Sequence, residues 1–244
     1  MALVEPSYHV DQFQGVRSER LSPSYRCILF DHRGHGESDH PSSAEANHIE
    51  RYAADVLALL DHLGVESAAF WGYSNGIAVG LRVADGHPSR LDCLIGSGRL
   101  SKTTREQLAD AVPRTVTDYR EHGWETLIAG FVAEEGELPP WMEKRIRATD
   151  LGPVIGWTEA RLNWGWSVWD ALPRVTAPTL FLAGELEDPQ DTMAKAAALM
   201  PHGERVRVPG RGHINGFLDV DFVLPRIQAF QAARRVSSTS AHPR

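Results

Sequence analysis

The pentapeptide Gly72-Tyr73-Ser74-Asn75-Gly76 sets a serine hydroxyl between two glycines, with apolar Ala68-Ala69-Phe70-Trp71 before it and Ile77-Ala78-Val79-Gly80-Leu81 after it. An apolar run that turns sharply into a helical run through G-x-S-x-G forces its central residue into a strained backbone conformation and lifts the hydroxyl out of the sheet. The glycines are needed because a side chain at either position would collide with the neighbouring strand or helix. The helix that follows aims its free N–H groups at the place where an oxyanion would form. The chemistry served by this spacing is nucleophilic attack of Ser74 on an acyl carbonyl.

A serine hydroxyl needs a base, so a histidine must accompany it. Of eleven histidines, His213 stands out, because it follows an expected strand and the glycine-rich loop Val208-Pro209-Gly210-Arg211-Gly212. Most of the others fall in polar loops or on helix surfaces. His32 and His35 lie in the turn Asp31-His32-Arg33-Gly34-His35-Gly36-Glu37-Ser38, which is assigned a structural role, with Asp31 and Arg33 bonding backbone around it. The imidazole in turn requires a carboxylate that fixes its tautomer and stabilises its cation. The loop Gly184-Glu185-Leu186-Glu187-Asp188-Pro189 offers one, in the chain order serine, acid, histidine.

These residues hang on a regular alternation of short apolar runs and longer helical patterns, the signature of strand–helix–strand units and a parallel sheet. The strands are expected at Ala2–Glu5, Arg26–Phe30, Ala68–Trp71, Leu91–Ser97, Thr179–Ala183 and Arg205–Val208. Cys27-Ile28-Leu29-Phe30 and Thr179-Leu180-Phe181-Leu182 read as the continuous apolar runs of buried parallel strands. Tyr52, Val56, Leu59, Leu60 and Leu63 share one helix face, and Gly64 stops that helix. A second helix is expected from just after Ser74 towards Gly86-His87-Pro88.

The alternation breaks between residues 100 and 172, where helical patterns hold six of the seven tryptophans. This stretch reads as a helical insertion between two parts of an α/β core, residues 1–99 and 173–235, with residues 236–244 as a disordered tail. A ligand pocket is mostly apolar, so some tryptophans should line one. Tyr73, Trp141, Trp164 and Trp166 are taken as its residues.

A net charge of −7 without basic clusters argues against nucleic acid, and no apolar run approaches the ~18 residues of a membrane helix. The N-terminus lacks the basic start and apolar run of a signal peptide, so a cytoplasmic location is expected. Cys27 and Cys93 sit in apolar runs without metal-type spacing and read as buried free thiols.

In conjunction, the Asp31-x-Arg33-Gly34-x-Gly36-x-Ser38 turn, the elbow at Ser74, the insertion, the Gly184 loop and Gly212-His213 resemble the α/β-hydrolase fold superfamily over nearly the whole chain. The resemblance implies a mostly parallel sheet flanked by helices, a helical cap, and a serine–acid–histidine triad with neither metal nor organic cofactor. In that family the acid falls three residues after the loop glycine. This points to Glu187, while the commoner residue type falls next, at Asp188. The family's His-Gly pair after the first core strand is replaced here by Glu5-Pro6-Ser7-Tyr8. The expected oxyanion donors are therefore the backbone N–H groups of Asn75 and Ser7. The family's first two strands are also missing, which would leave Arg26–Phe30 as an apolar sheet edge, to be covered by a dimer partner or by Asp11–Leu21.

The expected activity is hydrolysis of a carboxylic ester or lactone of a small apolar substrate. Three alternatives stand beside it. One is cleavage of a carbon–carbon bond in a β-diketone or ring-fission product. Another is acyl transfer or perhydrolysis, which needs a site that excludes water. The last is a ligand receptor that keeps the fold without turnover, for which a persistent adduct would be the mark.

Overall fold

Six runs pair into one wholly parallel sheet: β1 (Ala2–Ser7), β2 (Arg26–Asp31), β3 (Ala68–Tyr73), β4 (Leu91–Ser97), β5 (Thr179–Gly184) and β6 (Gly203–Val208). The structure, a computed structural model, describes residues 2–7, 19–100 and 103–239. Helices α1 (Ile49–His62) and α2 (Asn75–Gly86) alternate with the early strands. Between β4 and β5 lie α3 (Arg105–His122), α4 (Glu125–Glu135), α5 (Pro140–Ala148), α6 (Leu151–Ala160) and α7 (Val168–Ala171). The chain closes with α8 (Thr192–Leu199), α9 (His213–Leu218) and α10 (Val220–Thr239). The last helix runs into the stretch read as a tail, and residues 240–244 lie outside the described residues.

The sheet is covered on both faces, so its strands must be apolar on both, and every residue of β5 is buried. Their alternation sorts the core into two layers. Phe70, Leu94 and Phe181 join Val56 and Leu60 of α1 and Ile77 and Leu81 of α2. Ala69, Trp71, Ile95, Leu180 and Leu182 join Val223, Leu224, Ile227 and Phe230 of α10. Those four recur at helical spacing, which is why α10 lies flat on the sheet. Helix α1 buries Ile49, Tyr52, Ala53, Val56 and Leu60, and the chain leaves it through Gly64 at φ +62°.

The spatial order is β2-β1-β3-β4-β5-β6. The chain steps outward from β1 to β2, returns to β3 on the other side of β1, and then proceeds in one direction. That reversal opens a crevice beyond the C-terminal ends of β1 and β3, where ligands of open α/β sheets bind. Strand β2 forms one edge. Of the segment proposed to cover it, residues 11–18 lie outside the described residues. Leu21 and the nearby Tyr25 are buried in the α10 layer. Cys93 is a buried free thiol whose burial pushes its pKa up to about 12, and Cys27 is half-buried with its thiol 3.9 Å from the Tyr25 carbonyl oxygen. Among the described residues no helix is long and apolar enough to cross a membrane.

Candidate active site

Ser74 follows β3 at φ 55°, ψ −118°, the strained turn expected from its motif, and α2 starts at the next residue. The glycine before it is a steric requirement. A Cβ on Gly72 would stand 2.3 Å from the carbonyl oxygen of Gly76, inside the first turn of α2. Any side chain there would push the helix away from the serine.

His213 arrives on the loop after β6. Its Nε2 lies 3.2 Å from Ser74 Oγ, and its Nδ1 lies 2.6 Å from Glu187 Oε2. With Nδ1–H donated to the carboxylate, the lone pair of Nε2 faces the serine hydroxyl and can take its proton. Glu187 is held in turn: Gly184 N–H donates to Oε1 at 2.8 Å and Arg99 N–H to Oε2 at 3.2 Å. Its side chain is 1% exposed. The acid and histidine loops touch closely because Gly184 lacks a side chain, whose Cβ would meet the carbonyl oxygens of Arg211 and Gly212 at 2.4 Å.

Asp188 does something else. Its two carboxylate oxygens accept the N–H groups of Thr192 and Met193, each at 2.8 Å, at the start of α8. Of the two acids open in the sequence, only Glu187 meets the imidazole. Behind that ring sits Gly98, at φ +97°, where a Cβ would stand 3.0 Å from His213 Cε1. Tyr73 stacks on the ring with centroids 4.9 Å apart and donates its hydroxyl to the His213 carbonyl at 3.2 Å.

A cavity of about 290 Å³ lies over Ser74. Its wall is rich in aromatic side chains, including Tyr73, Trp124, Phe131, Trp141, Trp157 and Phe217. Asn75, first residue of α2, also borders it, as an oxyanion donor must. Ser7 ends β1, the strand beside β3, and its side chain lies outside the described residues. Arg145 contributes a guanidinium whose pKa is lowered by desolvation. Among the described residues, no group of three His, Cys, Asp or Glu is arranged to hold a metal ion.

Two of the expected pocket residues are elsewhere. Trp166 donates its indole N–H to Asp85 Oδ2 at 2.8 Å, which ties it to the end of α2. Trp164 packs edge-on behind Trp157 with ring centroids 5.1 Å apart, so Trp157 takes the wall position and screens it. Both belong to the apolar layer against α1 and α2 and not to the cavity lining.

The turn after β2 is structural, as expected, but not only that. Arg33 makes a two-pronged bond to Asp55 of α1, with both distances 2.6 Å, and also holds the Ala46 carbonyl. The Asp55 carboxylate holds the guanidinium above its usual range. Asp31 accepts the Glu37 N–H. The same turn carries His32 and His35 into the cavity wall, their rings 4.3 Å apart. Burial lowers the His32 pKa to about 4, so this ring is neutral near pH 7. The signal was available: residues just after a parallel strand lie on the ligand face of the sheet.

A sequence model of the alpha/beta hydrolase fold matches residues 10–220. Among curated proteins, the chain is similar to 3-oxoadipate enol-lactonase 2 of Acinetobacter baylyi, 31% identical over 192 residues that cover 73% of this chain and 67% of that protein. It is also similar to the non-heme chloroperoxidase of Streptomyces lividans, 43% identical over 93 residues, or 38% of this chain and 29% of that protein. The matches thus span about two thirds of the first relative's length and under a third of the second's. A solved thermophilic esterase from Thermogutta terrifontis has a TM-score of 0.76, covering 96% of this chain and 89% of its own. At 23% identity that likeness is one of fold.

Proposed function

We propose a reaction from one premise: this chain belongs to the alpha/beta hydrolase fold family. The reaction is hydrolysis of a carboxylic ester or lactone of a small apolar substrate. Ser74 is the nucleophile, His213 the general base and Glu187 the acid that orients it. The observation that carries this reading is the unbroken contact chain from Ser74 Oγ to His213 Nε2 and from His213 Nδ1 to Glu187, beneath an apolar cavity. Kinship with an enol-lactonase supports the choice of an acyl–oxygen bond.

In this mechanism Ser74 Oγ adds to the carbonyl carbon while its proton passes to Nε2. The oxyanion is held by the backbone N–H of Asn75 and that of Ser7. Collapse breaks the bond to the leaving oxygen, which takes the proton from Nε2 and departs as the alcohol, or stays tethered to the acyl group when the substrate is a lactone. Water then gives a proton to Nε2 and attacks the acyl-enzyme; collapse of this second intermediate breaks the bond to Ser74 Oγ, which takes the proton back from Nε2 as the acid is released. Glu187 accepts the Nδ1 hydrogen and stabilises the imidazolium in both halves. Helices α4, α5 and α6 act as a cap whose aromatic wall holds the substrate and limits access of water.

The test is hydrolysis of short-chain p-nitrophenyl esters by the protein and by Ser74→Ala, with circular dichroism to verify that both are folded. Loss of the serine should lower turnover by about 10⁴–10⁶-fold. Equal turnover in both proteins would remove the proposal.

A further inference from the structure

Helix α4 lies against α9, the short helix that begins at His213, through residues one turn apart. Ile128 shares an apolar cluster with Ile214. Phe131 lies parallel to the His213 imidazole, with ring centroids 5.8 Å apart. The Glu134 carboxylate accepts the His213 backbone N–H at 2.7 Å. Positions 128, 131 and 134 fall on one face of a helix, so all three contacts come from a single docking surface. The N–H in question opens α9 and has no acceptor within it, and Gly212 before it has no side chain to supply one.

The His213 backbone is therefore held at both ends, by Glu134 at its N–H and by the Tyr73 hydroxyl at its carbonyl. The bond to Glu187 fixes the ring's rotation and tautomer, but it does not fix where the residue stands along its loop. That position matters, because the 3.2 Å from Nε2 to Ser74 Oγ is at the long end of a hydrogen bond. A shift of a few tenths of an ångström would break it. Glu134 is not part of the cavity lining, so it can act on the histidine without touching substrate.

We infer that Glu134 is a positioning residue: by anchoring the His213 backbone to α4, it sets the imidazole at proton-transfer distance from Ser74. This rests on the reading of Ser74 and His213 as nucleophile and base. The acceptor oxygen, and not the full charge, carries the effect. A neutral glutamine should replace Glu134 and an alanine should not.

The experiment compares the whole protein with Glu134→Ala and Glu134→Gln, using p-nitrophenyl butyrate for turnover. It also records the low-field proton resonance of His213 Nδ1–H, identified by its loss in His213→Ala. Glu134→Ala should lower kcat about 10-fold with KM almost unchanged, Glu134→Gln should stay within about twofold of wild type, and the resonance should shift or broaden in the alanine variant alone. Wild-type kcat and an unmoved resonance in a folded Glu134→Ala protein would overturn the inference. So would a Glu134→Gln protein as impaired as the alanine variant. If Glu134→Ala does not fold, Glu134→Asp takes its place, since its shorter side chain cannot span the 2.7 Å contact; full activity there overturns the inference too. Turnover that survives Ser74→Ala would count against the catalytic reading alone, and the resonance would still decide the placement of the ring.

Discussion

Exchanging each acid of the Gly184 loop for its amide should separate two roles that adjacent residues play. Glu187→Gln keeps size and shape. Both carboxylate oxygens accept backbone N–H groups, Gly184 at Oε1 and Arg99 at Oε2, and Oε2 also takes the Nδ1 hydrogen of His213. An amide has one oxygen for these three donors. With its NH2 in the place of Oε2, Nδ1 must give up its hydrogen, and a ring protonated on Nε2 cannot take the proton of Ser74. With its NH2 in the place of Oε1, it opposes the Gly184 N–H, and in either placement the negative charge that stabilises the imidazolium is gone. Turnover of p-nitrophenyl butyrate should fall by about 10³–10⁴-fold at neutral pH, about 4–5.5 kcal/mol of transition-state stabilisation. Asp188→Asn instead leaves one of two helix-start N–H groups, Thr192 or Met193, without its acceptor. That should cost about 1–2 kcal/mol of stability, a drop of about 2–8 °C in Tm, with turnover within about threefold of wild type. Steady-state kinetics and thermal melts on both variants decide it. Near-normal turnover in Glu187→Gln, or a collapse of turnover in Asp188→Asn, would refute the assignment.

Gly98→Ala adds a Cβ 3.0 Å from His213 Cε1 at a positive φ, so kcat should fall about 10–100-fold in a folded protein; unchanged kcat would show that the ring tolerates the intrusion. His32, lowered to about 4 by burial, stays neutral in the fold while the unfolded chain protonates it below 6.5. Its contribution is complete above pH 6.5 and is lost as pH falls towards 4, at up to about 1.4 kcal/mol per unit. Urea melts at several pH values across that window should show a shallower slope in His32→Gln, and parallel slopes would sink the claim. Trp166→Phe removes the indole bond to Asp85 and should cost about 1–3 kcal/mol of stability while leaving KM unchanged. Trp157→Ala, by contrast, opens the cavity wall and should shift the preferred acyl chain length. The same shift on replacing Trp166 would put that residue back in the pocket.

The strands were legible because burial on both faces leaves a mark that is local in sequence. Thr179-Leu180-Phe181-Leu182 must be apolar throughout, whatever surrounds it, and it became the fully buried β5. Ser74 was legible for a related reason. The turn that exposes it demands glycine at Gly72, because the space for a Cβ is occupied by the backbone at Gly76, four residues on. The choice between Glu187 and Asp188 was not local in that sense. Each can reach a neighbouring backbone or a distant imidazole, and what separates them is the path of the Arg211-Gly212 backbone against Gly184. That contact joins two loops whose sequences carry no mark of each other.

The misassigned tryptophans obey the same rule at longer range. Trp157, Trp164 and Trp166 lie within ten positions of one another, yet one lines the cavity, one stands behind it and one is tied to Asp85, 81 residues earlier in the chain. Abundance of indole could indicate that the insertion covers something apolar. It could not indicate which indole faces inward, because that depends on how α6 and the segment after it are fixed to α2 and to the turn after β2. The contacts that fix them include the bond from Trp166 to Asp85, the Gly156 backbone pressed against Ser42, and His48 Nε2 lying 3.1 Å from the Asn163 carbonyl oxygen. Each is a pairing of residues that no periodicity relates. Glu134 belongs to this class: nothing around it in sequence marks it, and it gains its place beside His213 only because Ile128 and Phe131 bring one face of α4 onto α9. The proposed nucleophile is announced by the turn that must expose it, whereas the residues that orient and place its partner become visible only once the loops and helices are packed.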